Sequence, residues 1–370
     1  MQSKRVLISI PSKSHVEIAL DELTGLEELG YICKPFDYTA KDGYNSVIKR
    51  LLVIYKNAYQ LVKLAKSFNP DIIYFNSRLE KLAGIRDFLT ISLVKALYRK
   101  KVLFVIKSHG SDLGVLQNNS GLFKNTILAF LKRNVAAWLF LSFEERSKLI
   151  ELNFFDRQKL FVVKNIVRHL QFKRDENFRT GLGIPPDHKI LLFTGRLIAE
   201  KGIIEVVEAF AILKNKYPLT LIVVGDGNAV SRLKEIIAQN DLINNIMLTG
   251  FIPEKAVIPY YANSDILVFP TYFPEGFPMA LFNAVGAGLA VVTTKIRAAK
   301  DYLKEPDNCL WVNAKDTDGV VKAIERLLAS EELANHMQEQ NKGLSKLFSK
   351  EQVAAELSGI FDQITNHHNG

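Results

Sequence analysis

The feature that most constrains how this chain can fold is a regular alternation of short apolar runs with longer segments of helical periodicity. Short runs rich in Val, Ile and Phe are typical of buried strands in parallel sheets, and the helices between them complete repeated β-α units. The alternation therefore predicts an α/β protein. In the first half, the predicted strands are residues 5–10, 32–36, 71–75, 103–107, 138–141 and 160–163, and the predicted helices include residues 16–29, 49–67 and 124–134.

A second series begins near Lys189, with predicted strands at residues 190–194, 219–224, 246–248, 266–269, 290–293 and 309–312 and a predicted helix at 202–214. The interval between the two series lacks a strong period and contains Gly181, Gly183, Pro185 and Pro186, which are typical of a linker. A length of 370 residues suits two domains. We predict Rossmann-like domains at residues 1–170 and 189–347, a linker at 171–188, and a terminal helix and tail at 348–370.

Positive charge is concentrated in the first half of the chain. Residues 1–170 contain 27 Lys and Arg residues against 15 Asp and Glu residues, whereas the remainder contains 21 against 24. A basic half can bind nucleic acid, an anionic membrane or a phosphorylated substrate, or it can simply keep the protein soluble. Neither a zinc-finger spacing nor an aromatic RNA-binding motif accompanies it, so we expect no nucleic-acid partner. Peripheral contact with an anionic membrane and solubility alone both stay open.

The distribution of cysteines and apolar residues indicates a cytoplasmic protein. Cys33 and Cys309 are far apart in sequence, which argues against a disulfide framework and against structural zinc. The longest nearly apolar stretch, residues 135–143, is well short of the ~20 residues that span a bilayer. The amino terminus reads as a strand and not as a signal peptide. We therefore expect a cytoplasmic location, with the inner face of the cell membrane as the candidate place of contact.

Two segments carry residues that suit a diphosphate. In the first, a predicted strand ends at Gly195, and Arg196 and Lys201 follow just before a helix. Ligands of doubly wound sheets bind at the carboxyl ends of the strands, where two cations suit a diphosphate. In the second, Gly276 precedes a helix whose first residue is predicted to be Pro278, and a helix amino terminus favours anions. Either segment alone could be a solvated cation or a turn, but together they predict one anion site.

These segments resemble the donor-binding motifs of glycosyltransferase family 4, whose members are retaining enzymes with the GT-B fold. The resemblance covers nearly the whole chain and is most specific over residues 193–288. It is carried by Gly195-Arg196 with Lys201-Gly202, Val224-Gly225-Asp226-Gly227, Gly250-Phe251-Ile252, Glu275-Gly276-Phe277, Ala287-Gly288 and, in the first half, His109-Gly110-Ser111-Asp112. The resemblance implies two Rossmann-like, doubly wound parallel-sheet domains that face a cleft, with a C-terminal helix that crosses back to the N-terminal domain.

In the second domain, the resemblance implies a site for a nucleotide diphosphate sugar. Arg196 and Lys201 would neutralise the diphosphate of the leaving group, and Glu275 would accept hydrogen bonds from hydroxyl groups of the donor sugar. Ile252 would hold the base through its main chain. The other implied donor-binding residues are Gly195, Gly276, Phe277, Pro278, Met279 and Ala280, of which Met279 and Ala280 would bring backbone N–H groups to the phosphate and the ribose.

The resemblance also implies the course of the reaction. From the first domain, His109 would hydrogen-bond the sugar and help the oxocarbenium-like transition state, so the implied catalytic set is His109, Glu275, Arg196 and Lys201. The front-side mechanism usually favoured for this family needs no enzyme nucleophile, because the departing phosphate helps to deprotonate the acceptor. Since cations and N–H groups hold the diphosphate, we expect no metal ion, and no cofactor other than the sugar nucleotide as co-substrate.

Two positions depart from the family pattern. Asn283 stands where the family has a second Glu, which binds two ribose hydroxyl groups. An amide offers one acceptor oxygen and no charge, so its hydrogen bonds to the ribose would be weaker. In the loop after the first strand, Pro11-Ser12-Lys13-Ser14 replaces a pair of glycines. The backbone is then less free to approach the phosphate, although the side chains of Ser12 and Lys13 could substitute.

Three functions fit this sequence. The first is transfer of a sugar from a nucleotide diphosphate sugar, with UDP favoured over GDP, to a saccharide or lipid-linked acceptor in the biosynthesis of a cell-surface polysaccharide. The second is a sugar-nucleotide epimerase of the GT-B fold, which would need acid and base carboxylates in addition to Glu275. The third is a non-catalytic nucleotide-sugar-binding protein, which Asn283 brings into consideration. Release of free nucleotide would favour the first function.

Overall fold

The structure is a computed structural model that describes residues 3–11, 15–38, 46–114, 121 and 123–369. The chain divides into two compact units. The first unit comprises Met1–Ile166 together with Lys350–Gly370, and the second comprises Val167–Ser349. Each unit contains one six-stranded sheet among the described residues, and neighbouring strands pair in parallel. The predicted α/β class with two doubly wound parallel sheets is confirmed.

In the first unit the sheet has the order β2-β1-β3-β4-β5-β6. Its strands are β1 (Arg5–Ile10), β2 (Ile32–Asp37), β3 (Ile72–Leu79), β4 (Leu103–Ser111), β5 (Val135–Phe140) and β6 (Leu160–Val162). The helices are α1 (Val16–Glu28), α2 (Val47–Phe68), α3 (Lys81–Leu97), α4 (Ala129–Asn134) and α5 (Phe143–Glu151). The centre of β1 is fully buried, as are the first residues of β3, because helices cover both faces of a parallel sheet. A π-helical turn, Phe123–Leu128, precedes α4, so the predicted helix at residues 124–134 is only partly α-helical.

In the second unit the sheet has the order β12-β11-β10-β7-β8-β9. Its strands are β7 (Lys189–Thr194), β8 (Leu219–Val224), β9 (Ile246–Gly250), β10 (Ile266–Phe269), β11 (Ala290–Thr294) and β12 (Leu310–Val312). The helices are α6 (Asn177–Gly181), α7 (Ile203–Leu213), α8 (Val230–Gln239), α9 (Glu254–Asn263), α10 (Met279–Ala287), α11 (Arg297–Tyr302), α12 (Thr317–Ala329) and α13 (Glu331–Ser345). The apolar face of α7 is buried, as its sequence period predicts.

The final helix, α14 (Lys350–Asn369), belongs to the first unit although the chain reaches it from the second. It packs on α1, where a Cβ added at Gly25 would lie 2.8 Å from the Cβ of Ala354. The phenol of Tyr31 is 2.9 Å from the hydroxyl of Ser358. The return of the terminal helix to the amino-terminal unit agrees with the fold that the resemblance implied. None of the helices in the described part of the chain is both long enough and apolar enough to span a bilayer.

The interval 171–188, where we expected the linker, is part of the second unit in the structure. It contains α6, and the ring of Phe178 lies edge-on to that of Tyr260 with 5.4 Å between the centroids. The backbone N–H of Asp175 donates to the Asn263 side chain at 2.9 Å. The weak hydrophobic period of this interval therefore reflects a segment that polar and aromatic contacts hold in place. The first stretch of the first unit ends earlier than we expected, at Ile166.

Each sheet has a point where the chain reverses its direction of growth. In the first sheet this point lies between β1 and β3, and in the second it lies between β7 and β10. The loops that follow the two strands at such a point leave the sheet in opposite directions, so a crevice opens at the carboxyl ends of the strands. The candidate site residues of each unit follow these strands or their neighbours.

Candidate functional site

In the second unit, the two predicted anion-binding segments leave neighbouring strands. Gly195, Arg196 and Lys201 follow β7, and Glu275 follows β10, which pairs directly with β7. The loops are tied together because the carbonyl oxygen of Glu200 accepts hydrogen bonds from the backbone N–H groups of both Tyr272 and Phe273 at 2.9 Å. These hydrogen bonds join the two segments at the point where the second sheet reverses.

Two glycines permit the close approach of these loops. Gly202 has φ +76°, and a Cβ at this position would lie 2.4 Å from the carbonyl oxygen of Pro270. Gly225, at the end of β8, has φ +144°, and a Cβ there would lie 1.8 Å from the carbonyl oxygen of Gly195. A side chain at either glycine would push the loops apart, and positive φ angles add backbone strain for residues other than glycine. Glycine at these two positions therefore allows the close backbone contacts between the loops.

Lys201 and Glu275 form an ion pair across the two loops. The side chain of Lys201 is only 6% exposed, whereas that of Glu275 is 23% exposed. The ammonium group also lies 5.5 Å from the ring centroid of Phe269 and 5.1 Å from that of Phe273. Two aromatic rings and one carboxylate thus surround a nearly buried cation, and cation–π attraction adds to the ion pair.

Arg196 is the second cation of this site and is exposed. Its guanidinium carbon lies 4.9 Å from the centroid of the Phe273 ring, the same ring that Lys201 approaches. Burial lowers the pKa of Lys201, the Glu275 carboxylate raises it, and Arg196 lowers it further; the pKa ends below the ordinary lysine value. Arg196 and Lys201 therefore repel each other electrostatically, which an anion between them would relieve.

Helix α10 begins directly after the Glu275 loop. Its first residue is Met279, one position later than the predicted start at Pro278. Pro278 itself has an extended backbone and precedes the helix, and its carbonyl oxygen accepts a hydrogen bond from the Phe282 N–H at 3.1 Å. Met279 and Ala280 form the first turn, whose N–H groups point along the axis towards the preceding loop. Gly276 is buried in that loop.

An aromatic cluster fixes the start of α10. The ring of Phe277 stacks on that of Phe282 with 3.7 Å between centroids, and Phe348 packs edge-on against both, at 5.6 and 5.0 Å. Tyr302 closes the cluster. Phe277 therefore holds the loop between Glu275 and the helix by packing.

Asn283 belongs to a polar chain in the second unit. Its side chain hydrogen-bonds Tyr261, whose phenol lies 2.5 Å from the hydroxyl of Thr194 at the end of β7. Tyr261 and Thr194 are both buried, and burial raises the pKa of the phenol. The half-buried Asn283 side chain is thus held by Tyr261, a residue that the sequence analysis did not identify.

Ile252 lies in the loop after β9 and is half-buried. Gly250, which ends that strand, has φ +74°, and its carbonyl oxygen accepts from Gly225 N–H at 2.9 Å. This hydrogen bond links the Ile252 loop to the backbone that approaches Gly195. Ser12 and Lys13, the candidate donor-binding side chains of the loop after β1, lie outside the described residues.

His109 belongs to the first unit, near the carboxyl end of β4. Its Nε2 atom is 2.7 Å from the Oδ1 atom of Asn76 on β3, and its ring lies edge-on to that of His15 with 4.5 Å between centroids. Burial, followed by the nearby charges of His15, Lys107 and Arg78, lowers the pKa of His109 well below its ordinary value. His15 and Asn76 are the site residues of this unit that sequence reasoning did not assign. The one sequence signal that could have identified Asn76 is a polar residue directly after the apolar run of β3.

A buried ion pair lies beneath these histidines. Lys107 and Glu22 are both completely buried, and Glu22 also accepts a hydrogen bond of 3.0 Å from the phenol of Tyr74. The hydrophobic periodicity of the sequence around Lys107 and Glu22 does not predict that either residue is buried.

Within the part of the chain that the structure describes, no three His, Cys, Asp or Glu residues gather as a metal-binding group.

The second unit is similar to a known protein family. Residues 174–343 match the family model of Glycosyl transferases group 1. The match covers just under half of the chain, so it shows what the second unit is similar to. The matched residues include both loops of the Lys201–Glu275 site and helix α10.

Solved structures share the fold over the whole chain. A glycosyltransferase from Rickettsia africae ESF-5 is 20% identical with a TM-score of 0.80 and 99% coverage of both chains. Anabaena HepE in complex with UDP and glucose is 16% identical with a TM-score of 0.75, covering 98% of this chain and 100% of that chain. These two similarities confirm the GT-B fold that the resemblance implied.

A curated relative adds similarity in sequence. The N,N'-diacetylbacillosaminyl-diphospho-undecaprenol alpha-1,3-N-acetylgalactosaminyltransferase of Campylobacter jejuni is 24% identical over 290 residues, which are 76% of this chain and 74% of that protein. Two other curated glycosyltransferases are matched over 41% and 55% of their own length, so the chain spans about half of them.

Proposed function

We propose that this chain is a retaining, metal-independent glycosyltransferase of family 4 that transfers a sugar from a nucleotide diphosphate sugar to a saccharide or lipid-linked acceptor. The observation that carries the proposal is the ion pair of Lys201 with Glu275, which joins the loop that bears Lys201 and Arg196 to the loop that leads into α10. Two cations and a helix amino terminus at the crevice of the second sheet suit a diphosphate. The match to the glycosyl transferases group 1 model supports the reaction class.

The chemistry follows from this distribution of charge. When the bond from the anomeric carbon to the diphosphate breaks, its electron pair passes to the phosphate oxygen. Lys201 and Arg196 would stabilise the new negative charge, with help from the N–H groups at the start of α10. The acceptor hydroxyl group would attack from the face that the diphosphate leaves, and its proton would pass to a phosphate oxygen. No residue of the chain becomes covalently attached in this sequence.

Glu275 would hold the donor sugar through hydrogen bonds to its hydroxyl groups. Its ion pair with Lys201 would fix the position of the carboxylate beside the diphosphate site. Ile252 would hold the base, and Asn283 would meet the ribose with its amide. UDP is the nucleotide to test first, because the structurally similar Anabaena protein is described in complex with UDP and glucose.

The experiment measures release of UDP from UDP-sugars in the presence of saccharide and lipid-linked acceptors. In Lys201→Met, turnover should fall by about a hundred-fold, as expected when a charged group facing the transition state is lost. Lys216→Met is the matched control, because Lys216 lies on the surface of the same unit and pairs with Glu325. Equal turnover in both variants would contradict the proposed diphosphate site.

Two other outcomes would replace the proposal. Binding of UDP without transfer to any acceptor would support a non-catalytic nucleotide-sugar-binding protein, which the neutral Asn283 side chain favours. Conversion of the sugar nucleotide without release of the nucleotide would support an epimerase. The stereochemistry of the product, read by NMR of the new glycosidic bond, tests retention. Activity that survives prolonged dialysis against EDTA would support independence from metal ions.

A peripheral membrane contact forms part of this proposal, in a cytoplasmic protein acting at the inner face of the membrane. Five apolar side chains of α2 are exposed and recur at helical spacing on one side of the helix: Ile48, Leu51, Leu52, Tyr55 and Tyr59, called here the α2 stripe. Helix α2 contains five Lys and Arg residues and no Asp or Glu. An exposed apolar stripe beside basic residues suits an anionic bilayer.

The test of this contact is flotation with vesicles of phosphatidylcholine, with and without phosphatidylglycerol. Wild-type protein should float with the anionic vesicles, and the double change Ile48→Ser with Leu52→Ser should abolish flotation. Ile243→Ser is the control, because Ile243 is a comparably exposed side chain in the second unit. If the wild-type protein fails to float with either vesicle, the membrane contact is wrong while the transferase proposal stands.

A further inference from the structure

A cavity of about 310 Å³ lies in the first unit, at the end of the sheet opposite to His109. Its wall includes Leu103 and Val135, the first residues of β4 and β5, whereas His109 lies near the carboxyl end of β4. Ile364 on the terminal helix α14 also lines it. Small-molecule sites begin at about this size, since they range over about 300–1,000 Å³. We call it the β5 cavity, and the proposed transferase function gives it no role.

The cavity lies where the pairing of β5 is interrupted. The register places Ala136 between two paired positions, Val135 and Ala137, without a partner of its own in β4. On the other side, β6 pairs with β5 only from Trp138 onward. A bulge of this kind leaves its extra residue outside the ladder, and bulges are frequent beside functional sites. Ala136 is half-buried and lines the cavity, so the opening is built into the start of the strand.

Three cations line the cavity, and none of them is paired with a carboxylate among the described residues. Lys95 donates to the amide oxygen of Asn134, and the ammonium group of Lys159 lies 3.3 Å from the carbonyl oxygen of Val135. The third cation, Arg133, is exposed at the end of α4 and has no hydrogen-bond partner within the described part of the chain. Neutral oxygen atoms hold the two lysines, so all three positive charges are available to an anion.

The one carboxylate among the described residues that line the cavity is engaged in its own turn. The side chain of Asp156 accepts a hydrogen bond from the backbone N–H of Gln158 at 3.0 Å, which caps the turn that precedes β6. Asp362, which precedes the lining residue Gln363 on α14, pairs with Lys4. Three cations against one carboxylate leave an excess of positive charge in the lining, which attracts an anion of more than one charge.

The lining combines this charge with apolar side chains. Leu103, Val135 and Ile364 are all buried. A phosphate monoester carries about 1.5 to 2 negative charges near pH 7, and the fork of an arginine can bind two of its oxygen atoms at once. A carboxylate brings only a single charge. An inorganic ion would leave the apolar wall uncovered, whereas an apolar group attached to the phosphate would be removed from water there.

We propose that the β5 cavity binds a phosphate monoester that carries a compact apolar group. Arg133, Lys95 and Lys159 hold the phosphate, and the apolar group lies against the buried side chains of the wall. Such a ligand exists both as a soluble molecule and as the head of an anionic lipid. The site goes beyond the proposed transferase function, and its occupancy is measurable without turnover.

The first test is calorimetric titration of the full-length protein with phenyl phosphate. Lys201→Met is the background, because the proposed diphosphate site would otherwise bind the same probe. Arg133→Met in this background should weaken binding about ten-fold or more, since charge-assisted hydrogen bonds are lost. Arg99→Met is the matched control, because Arg99 is also exposed and close to Lys95 in sequence but does not line the cavity. Equal affinities in the two variants would overturn the proposal.

A second test separates the apolar wall from the charges. In the same background, phenyl phosphate should bind about ten-fold more tightly than inorganic phosphate, because the wall removes the ring from water. Ala136→Leu should fill part of the cavity and abolish this difference, while the affinity for inorganic phosphate stays unchanged. Equal affinities for the two phosphates before that substitution would contradict the proposal. This comparison needs no change in the first unit, so it stands even where Ala136→Leu fails to fold.

Vesicles distinguish the two sources of the ligand. Flotation with phosphatidylcholine, with and without phosphatidic acid, uses protein that carries Ile48→Ser and Leu52→Ser, so that the α2 stripe does not contribute. Flotation with phosphatidic acid that Arg133→Met abolishes and Arg99→Met preserves would support a lipid. Binding of phenyl phosphate without flotation would support a soluble monoester. Binding of neither probe would overturn the proposal and leave the transferase proposal standing, because none of the proposed catalytic residues lines the cavity.

Discussion

Lys201 and Glu275 form an ion pair in which the ammonium group is almost completely buried and the carboxylate is partly exposed. The pair joins the loop after β7 to the loop after β10, at the reversal point of the second sheet. Because the lysine has lost most of its solvent, the carboxylate keeps it charged. The charge of Lys201 at the proposed diphosphate site therefore depends on this partly exposed acid.

Removing this acid should make nucleotide binding sensitive to pH. Burial lowers the pKa of Lys201 and Glu275 raises it, so Glu275→Gln should lower the pKa of the ammonium group further. The lysine must be protonated to attract a diphosphate, so UDP affinity in this variant should be lost at a lower pH than in the wild-type protein. Calorimetric titration with UDP alone, which has no sugar for Glu275 to contact, measures the effect between about pH 6 and 9.

Glu208→Gln is a suitable control for that experiment, because Glu208 lies on α7 in the same unit and hydrogen-bonds Thr317. Its UDP affinity should follow the wild-type profile. If Glu275→Gln loses affinity equally at every pH, Glu275 contributes to binding in some way other than through the charge of Lys201.

Gly202→Ala should destabilise the second unit and weaken UDP binding. The positive φ of Gly202 and the carbonyl oxygen of Pro270 both oppose a Cβ at this position. The loss should be about 2 kcal/mol or more in the free energy of unfolding. In Gly343→Ala, on α13 of the same unit, the Cβ meets nothing within 4 Å, so the change should stabilise by about 0.5 kcal/mol. Urea unfolding measures both, and equal effects would show that the loop can move aside.

The strands were predictable because their apolar centres are continuous, but their polar ends were not. The structure extends β3 to Leu79 and β4 to Ser111, beyond the predicted ends at residues 75 and 107. These extensions contain Asn76 and His109, whose polarity hides them from a hydrophobic pattern. The hydrophobic pattern therefore finds the sheet and misses the strand ends that carry these polar side chains.

The candidate site was partly predictable for the same reason. Arg196, Lys201 and Glu275 stand at strand ends, so parallel pairing of β7 and β10 brings their loops together. Asn76 and Tyr261 depend on contacts between residues far apart in sequence: Asn76 lies 33 residues from His109, and Tyr261 lies 67 residues from Thr194. A single sequence has no local signal for such pairs. An aromatic residue on a helix such as α9 is more simply read as core.

The stability of the first unit should fall in mild acid because of His15. In the folded protein the pKa of His15 is lowered to about 4, below the ordinary value of 6.5. Between these values the unfolded chain binds the proton and the folded chain does not, so the free energy of unfolding decreases as the pH falls through this window. The decrease from pH 7 to pH 5 should be about 2 kcal/mol from this residue.

Fluorescence can follow the first unit alone. The chain has two tryptophans, Trp138 in β5 and Trp311 in β12, so a Trp311→Phe background leaves only the signal of Trp138. His15→Asn is the matched variant, because asparagine tolerates the positive φ of 66° at this residue and does not titrate. Its stability should depend less on pH over this range. An equal acid response in both proteins would show that other groups cause it.

The buried pair of Lys107 and Glu22 should show strong coupling in a double-mutant cycle. Both side chains are completely buried, so removing either partner leaves a charge in the core, and each single change should cost about 3–5 kcal/mol. Lys107→Met removes the cation, and Glu22→Gln removes the anion while keeping an acceptor for the Tyr74 phenol. The double variant leaves no charge behind, so it should be less destabilised than the sum of the two single variants by about 2 kcal/mol or more.

The same cycle on Arg232 and Glu235, an exposed pair on α8, supplies the comparison. That pair should show no measurable coupling, because solvent screens exposed charges. Additive losses at Lys107 and Glu22 would mean that water reaches the pair in solution. The low pKa values of His109 and His15 would then lose one of their causes, because the Lys107 charge that opposes protonation of both rings would be screened as well.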